Sequence, residues 1–206
     1  MIITIDGYGA TGKSTTAKLL AQRLGYDHLN SGALYRWITY NALQQNLDLN
    51  DSDILFKLAQ NLDYNNIDYK LLNSQDISNN VTKIAVIPEI REKIVDIQRE
   101  YAKGKNIVVE GRDIGTVVFP DADYKFYFTA SLEIRARRRY EQMQKQGLEA
   151  DYDQILHSIA NRDRQDIERE HSPLKKADDA IEIDTDNITV DEGIEIILKE
   201  IKNLTV

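Results

Sequence analysis

The chain has 206 residues, 42% hydrophobic and 29% charged, which suits one full-sized core with room for a single inserted subdomain. Its 34 acidic residues outnumber 26 basic ones, and a net charge of −8 argues against a dedicated nucleic-acid binder, whose surface would be basic. Cysteine is absent, which excludes disulfides and thiolate chemistry; His28, His157 and His171 are too scattered for zinc, and no apolar run approaches the ~20 residues of a membrane span.

The N-terminus shows no basic segment followed by an apolar stretch and a cleavage site, so no export signal is expected and a cytoplasmic location is. An apolar run at 2–6 reaches Gly7, and Ala17, Leu20, Ala21 and Leu24 then share one face up to Gly25, which predicts strand, loop and helix. Helical patterns follow over 31 to about 45 and over 52–62. The Asn-rich stretch 63–80 reads as irregular, the best place for an insertion or a mobile element. Pro88 opens a helix whose apolar face is Ile90, Ile94, Ile97 and Tyr101. Residues 106–109 and 125–129 read as buried strands, and 131–146 and 151 to about 169 as helices joined across Gly147. A last strand is expected over 180–183, and Thr189 with Glu192 forms a capping box that starts the terminal helix. Strands alternating with helices imply a parallel sheet covered on both faces.

GYGATGKS, residues 7–14, fits the pattern G-x-x-x-x-G-K-[ST] between a strand and a helix, the context the motif requires. Such a loop turns backbone N–H groups inward on phosphate oxygens, and the dipole of the following helix adds positive potential. Gly7, Tyr8, Gly9, Ala10, Thr11, Gly12, Lys13, Ser14 and Thr15 would cradle a nucleoside triphosphate, with Lys13 on the β and γ phosphates and the Ser14 hydroxyl on Mg²⁺. A switch GTPase would carry N-K-x-D or T-K-x-D, and neither occurs.

The run 106–110 continues as Gly111-Arg112-Asp113, which sets Arg112 and Asp113 at the carboxyl edge of the sheet, where open α/β folds bind ligands. Arg112 can grip a phosphate and Asp113 can accept from an amino group such as cytosine N4. Arg162, Asp166 and Arg169, spaced i, i+4, i+7, put a carboxylate between two guanidinium groups on one helix face. Taken singly, each of these reads as a solvated ion pair, and Ser31 to Arg36 as a capped helix start.

Six segments in order, IDGYGATGKSTTAKLL, NSGALYR, IPEIRE, EGRDIGTVVFPDAD, RARRRY and NRDRQDIEREHSPL, resemble the bacterial cytidylate kinases over nearly the whole chain. The resemblance implies the nucleoside monophosphate kinase version of the P-loop NTPase fold: α/β, with a parallel sheet flanked by helices, a small monophosphate-binding insertion and a helical lid. It implies a core of 1–45, 85–139 and 170–206, a shortened insertion of about 46–84 and a lid of about 140–168. It implies that Ser31, Arg36, Arg112 and Asp113 line a CMP site, that Thr82 and Arg91 reach the base, that Arg162 and Asp166 hold the ribose, and that Arg169 completes the pocket. Asn30 stands where the family usually has aspartate, Thr82 replaces the usual serine, and the segment between Gln75 and Thr82 is shorter than usual.

The implied reaction moves the γ-phosphoryl group of ATP to CMP or dCMP with Mg²⁺, in a monomer that needs neither nucleic acid nor membrane. Lys13, Arg112 and lid arginines among Arg135, Arg138 and Arg139 would stabilise the shifting charge. The competing readings are a thymidylate or shikimate type of kinase on the same fold, and a nucleic-acid-associated ATPase.

Overall fold

The computed structural model describes residues 1–203, so the last three residues of the expected core lie outside the described chain. The alternation read from the sequence is realised as β1 (Ile2–Gly7), α1 (Lys13–Leu24), β2 (Asp27–Asn30), α2 (Ser31–Gln44), α3 (Ser52–Gln60), α4 (Gln75–Ala85), α5 (Pro88–Ala102), β3 (Ile107–Gly111), β4 (Tyr124–Thr129), α6 (Leu132–Lys145), α7 (Tyr152–Glu168), β5 (Ile181–Asp184) and α8 (Val190–Asn203). These elements form two compact units, one of Met1–Leu29 with the chain from Lys105 onward, the other of Asn30–Gly104. The second takes in the segment 46–84 together with its flanking helices.

In the first unit a five-stranded sheet has the order β2-β3-β1-β4-β5. β1 runs parallel to both neighbours, with Ile5 opposite Glu110 on one side and Phe126 on the other, and β5 runs parallel to β4. A parallel sheet is covered on both faces, so its central strands are buried along most of their length, Thr4, Asp6, Glu110 and Lys125 included. Ile3, Ile5, Val108, Phe126 and Phe128 pack with Leu20 and Ala21 of α1 and Ile194 and Ile197 of α8 in one core. Each large side chain buried this way contributes about 1.5–3 kcal/mol. The terminal helix starts as its sequence predicts: Thr189 N–H donates to Glu192 Oε2 at 2.7 Å, and Glu192 N–H donates to Thr189 Oγ1 at 3.2 Å.

In the second unit α2 packs on α3, α4 and α5, and α5 also receives α3 and α4. Here the structure corrects one expectation. The stretch 63–80 is ordered as two short 3₁₀ turns, Tyr64–Asn66 and Tyr69–Asn73, followed by α4, whose start is capped by Ser74 Oγ accepting from Ile77 N–H. Ile77, Val81 and Ile84 are buried on one face of α4, and that tertiary burial outweighs the poor helix propensity of the asparagines between them. β2 was also not expected. Its sequence DHLN lacks alternation, and pairing with the chain before β3, where Asp27 N–H donates to Asn106 O at 2.9 Å, holds it extended.

The strand ends decide where chemistry can occur. Gly7, the last residue of β1, has φ 144°, and a Cβ there would run into the carbonyl oxygen of Phe128 on the neighbouring strand. Gly7→Ala is therefore expected to destabilise the protein by about 3 kcal/mol, read in urea unfolding as a lower midpoint at unchanged slope.

Candidate active site

The loop between β1 and α1 is built on two left-handed positions, Ala10 at φ 60° and Gly12 at φ 90°, the latter capping α1. Such alternation of backbone handedness produces the concave run of N–H groups that binds anions, and the α1 dipole reinforces it. Thr11 closes the turn by donating from Oγ1 to Tyr8 O at 3.0 Å.

Three cations lean on three successive carbonyls of this loop. Arg112 Nη1 donates to Gly7 O at 2.6 Å, Lys13 Nζ to Tyr8 O at 2.9 Å, and Arg135 Nη1 reaches Gly9 O at 3.5 Å. They come from the residue after β3, the start of α1 and the first turn of α6, so the sheet brings Arg112 and Arg135 to loop carbonyls 105 and 126 residues away in sequence. Carboxylates from one helix hold the two arginines from the other side: Asp166 accepts from Arg112 Nε at 2.8 Å, and Asp163 accepts from Arg135 Nη1 at 2.5 Å. Both pairs are largely buried.

Burial alone would raise the Asp166 carboxyl, but Arg112 and Arg162 bring it below the usual carboxylate range. Burial would likewise lower the Arg112 guanidinium, and Asp166 raises it above its ordinary value. Lys13 has no such anion in contact among the described residues. Burial first, then the charges of Arg112 and Arg162, push its ammonium down to about 7, against the pull of Glu110 and Asp166. Dry surroundings first, and neighbouring guanidinium groups second, favour the neutral amine over the ammonium.

Asp6 is a further functional residue that motif reading passed over, although it stands directly before the cradle. Its Oδ1 accepts from Ile114 N–H at 2.9 Å and its Oδ2 from Gly115 N–H at 2.7 Å, fixing the π-helical turn Ile114–Val118 that follows Arg112 and Asp113. Burial pushes the Asp6 carboxyl up to about 7, although both N–H donors pull it down. Thr185, past β5, stands in no motif. Its Oγ1 donates to Thr11 O at 3.0 Å, tying the far edge of the sheet to the cradle. Asp163 could have been noticed as a charge three residues before Asp166, on the turn facing α6.

The sequence-predicted residues of this unit do not all converge. Asp113 lies 3.7 Å from Arg169 Nη2, and Arg169 Nη1 lies 3.6 Å from Asp166, so Arg112, Asp113, Arg162, Asp166 and Arg169 form one charged group around Asp166. Arg169 stands one residue beyond α7 with extended backbone, so only Arg162 and Asp166 of the expected helix face are helical. Arg138 Nη1 donates to Thr185 Oγ1 at 3.2 Å, beside the loop. Arg139 instead bonds Gln142 on its own helix at 3.0 Å, and burial lowers its guanidinium. Ser14 and Thr15 are exposed on the first turn of α1. An open cleft of about 460 Å³ is lined by Tyr8, Leu132, Arg135, Asp163, Arg164 and Ile167.

The predicted residues of the second unit are held by their own neighbours. Asn30 caps α2 by accepting from Ala33 N–H at 3.0 Å, a role an amide fills as well as a carboxylate, and Ser31 is buried directly after it. Arg36 Nη1 donates to Leu72 O at 3.1 Å and to Ser78 Oγ at 3.2 Å. Arg91 is 4% exposed, donates from Nη1 to Ala85 O at 2.9 Å and lies 5.6 Å from the centre of the Tyr35 ring. Thr82 sits half-buried on α4.

The model of the family described as cytidylate kinase matches residues 3–203. A cytidylate kinase of Caldanaerobacter subterraneus subsp. tengcongensis is 42% identical over 98% of this chain and 95% of its own length. One of Fusobacterium nucleatum is 39% identical over 99% of this chain and 98% of its own. Among solved structures, a shikimate kinase from Bacteroides thetaiotaomicron is 11% identical with a TM-score of 0.52, covering 98% of each chain. An uncharacterised protein from Eubacterium ventriosum is 15% identical with a TM-score of 0.57, again over 98% of each. These two share the fold, a parallel sheet flanked by helices around a P-loop.

The depressed Lys13 makes a prediction about protons. A lysine whose folded pKa lies below its unfolded value costs the free protein stability below about 7, and that cost is relieved as pH rises toward the ordinary lysine value. A bound polyphosphate reverses the balance by favouring the ammonium. Titration of inorganic triphosphate at pH ~8 is expected to take up close to one proton per site, read by calorimetry as a heat that depends on the buffer's ionisation enthalpy. Lys13→Met is expected to abolish that dependence.

Proposed function

The chain belongs to the cytidylate kinase family, and we propose that it transfers the γ-phosphoryl group of ATP to CMP and dCMP, giving ADP and the matching diphosphate. The observation that carries this reading is the set of three cations on the cradle carbonyls at Gly7, Tyr8 and Gly9, with carboxylates behind two of them. Moving a phosphoryl group between two polyanions is limited by charge repulsion and alignment, and this arrangement supplies both cation and rigidity.

The CMP phosphate has a second pKa near ~6 and is largely dianionic at neutral pH, so its oxygen attacks without a general base. Lys13 exchanges Tyr8 O for oxygens of the β and γ phosphates. Arg112 and Arg135 keep their carboxylate partners and point remaining donors at the charge that develops, so that little reorganisation is needed when the reaction occurs. Arg138 and Arg139 complete the set of lid cations, and closure of the segment 140–168 keeps water from taking the phosphoryl group. For the acceptor, Arg112 and Asp113 hold the phosphate and base edge, Arg162 and Asp166 the ribose, and Arg169 steadies both carboxylates. Ser31, Arg36, Thr82 and Arg91 are the nucleotide-binding residues that the family resemblance implies for the second unit.

The donors present suit Mg²⁺. Ser14 offers an exposed hydroxyl, and Glu110 Oε1 is a buried acceptor with no hydrogen-bond partner among the described residues. Among the described residues no three acidic or histidine side chains cluster into a cage, which fits an ion that binds phosphates and water with one or two protein oxygens. When bound, Mg²⁺ would neutralise phosphate charge, and Ser14 would hold it. No helix of the described residues is long and apolar enough to cross a membrane, and we place the reaction in the cytoplasm, carried out by a monomer on free nucleotides.

A coupled assay of ADP release across CMP, dCMP, UMP, dTMP, AMP and shikimate tests the reading. Turnover is expected with CMP and dCMP ahead of the other acceptors, and preference for dTMP or shikimate would overturn it. Lys13→Met is expected to lower kcat by about 10²-fold or more while leaving the thermal midpoint unchanged or raised, because it removes a buried cation that the fold disfavours.

A further inference from the structure

A phosphate cradle needs only the backbone of its second residue, yet in this chain that residue is a tyrosine with a fixed and occupied ring. Its backbone is anchored, since Tyr8 O accepts from both Thr11 Oγ1 and Lys13 Nζ. Its ring is anchored too, meeting Tyr127 of β4 edge to face at 6.1 Å and 75°. One face of the ring lies against the guanidinium of Arg135, 5.0 Å from its centre.

Among the described residues the other contacts of the Arg135 guanidinium are hydrogen bonds from Nε and Nη1. Nε donates to Ala130 O at 3.0 Å, and Nη1 to Asp163 Oδ2 at 2.5 Å and Gly9 O at 3.5 Å. Among the described residues these bonds leave the Nη2 pair uncommitted. Bonds from two nitrogens still let the planar group tilt, and the shortest of them ties it to Asp163 on α7. An aromatic face stacked on the guanidinium attracts it through the ring quadrupole, removes water from that side and opposes the tilt.

We propose that Tyr8 is a positioning residue that sets the plane of Arg135, so that the uncommitted Nη2 is presented to the phosphoryl group in transit at the cradle. The proposal rests on the reading of the chain as a CMP kinase and of Arg135 as one of its charge stabilisers. The ring touches no reacting atom. Its effect is on how well an arginine is preorganised, and a small misplacement of such a group is costly to rate rather than to ground-state binding.

The test is a double-mutant cycle on full-length protein with CMP and ATP. Tyr8→Leu, which keeps bulk but loses the aromatic face, is expected to lower kcat about tenfold, with both KM values within about threefold of wild type. Tyr8→Phe, which restores the face without the hydroxyl, is expected to recover at least half of the loss on a logarithmic scale. In an Arg135→Ala background, Tyr8→Leu is expected to have no further effect on kcat, which a merely structural ring would not predict. Equal losses in both backgrounds, a Phe variant as impaired as the Leu variant, or an unchanged kcat in Tyr8→Leu would each overturn the proposal. Tyr8→Met repeats the cycle if the Leu variant does not fold, and failure of both to fold overturns the proposal by making the ring a structural element. A wild-type protein that does not phosphorylate CMP overturns the function reading instead, and this proposal with it.

Discussion

Gathering Lys13, Arg112 and Arg135 against one short loop sets the central constraint on this protein. Like charges in a half-dry pocket repel with several times their strength in water, and each must be compensated or lose its charge. The structure uses both answers. Asp166 and Asp163 compensate the arginines, while Lys13, whose hydrogen bond among the described residues is to a carbonyl, is driven toward neutrality, by burial first. The loop carbonyls at residues 7, 8 and 9 are the shared resting place of all three. The result is a pocket that holds its cations in place and still has unsatisfied demand for negative charge.

The sheet makes this arrangement possible. β1, β3 and β4 run parallel, so their carboxyl ends deliver the cradle, Arg112 with Asp113, and the segment that starts α6 to one edge. Asp6 then locks the turn after β3 through two backbone N–H groups, and Thr185 ties the chain after β5 to Thr11. Both are buried polar groups whose bonds specify one backbone course at the place where a shift would misalign the cations. Gly7 allows β1 to lie against Phe128 where any side chain would push the strands apart.

Much of the fold was legible because it depends on local rules. The capping box at Thr189, Pro88 at a helix start, and the apolar faces of α1 and α5 each encode an element over a few residues. The failures have one cause. β2 has a single fully buried apolar residue and no alternation, and α4 is rich in asparagine, so both owe their form to what they pack on. The arginines were legible as a cluster but not as individuals. Spacing along α6 could not tell Arg135, drawn inward to Asp163, from Arg139, which bonds a glutamine on its own helix.

From the sequence alone follow the cradle, its lysine and hydroxyl, the alternation of strands and helices apart from β2 and α4, and the family, because motifs and periodicity are written in neighbouring residues. Only the tertiary structure decides which carboxylate restrains which arginine, that Lys13 sits near neutrality, and that the Tyr8 ring backs Arg135. Those properties depend on burial and on distances between residues well separated in sequence, 54 positions for Arg112 and Asp166 and 28 for Arg135 and Asp163, and the dielectric that sets their strength exists only once the chain has closed around them.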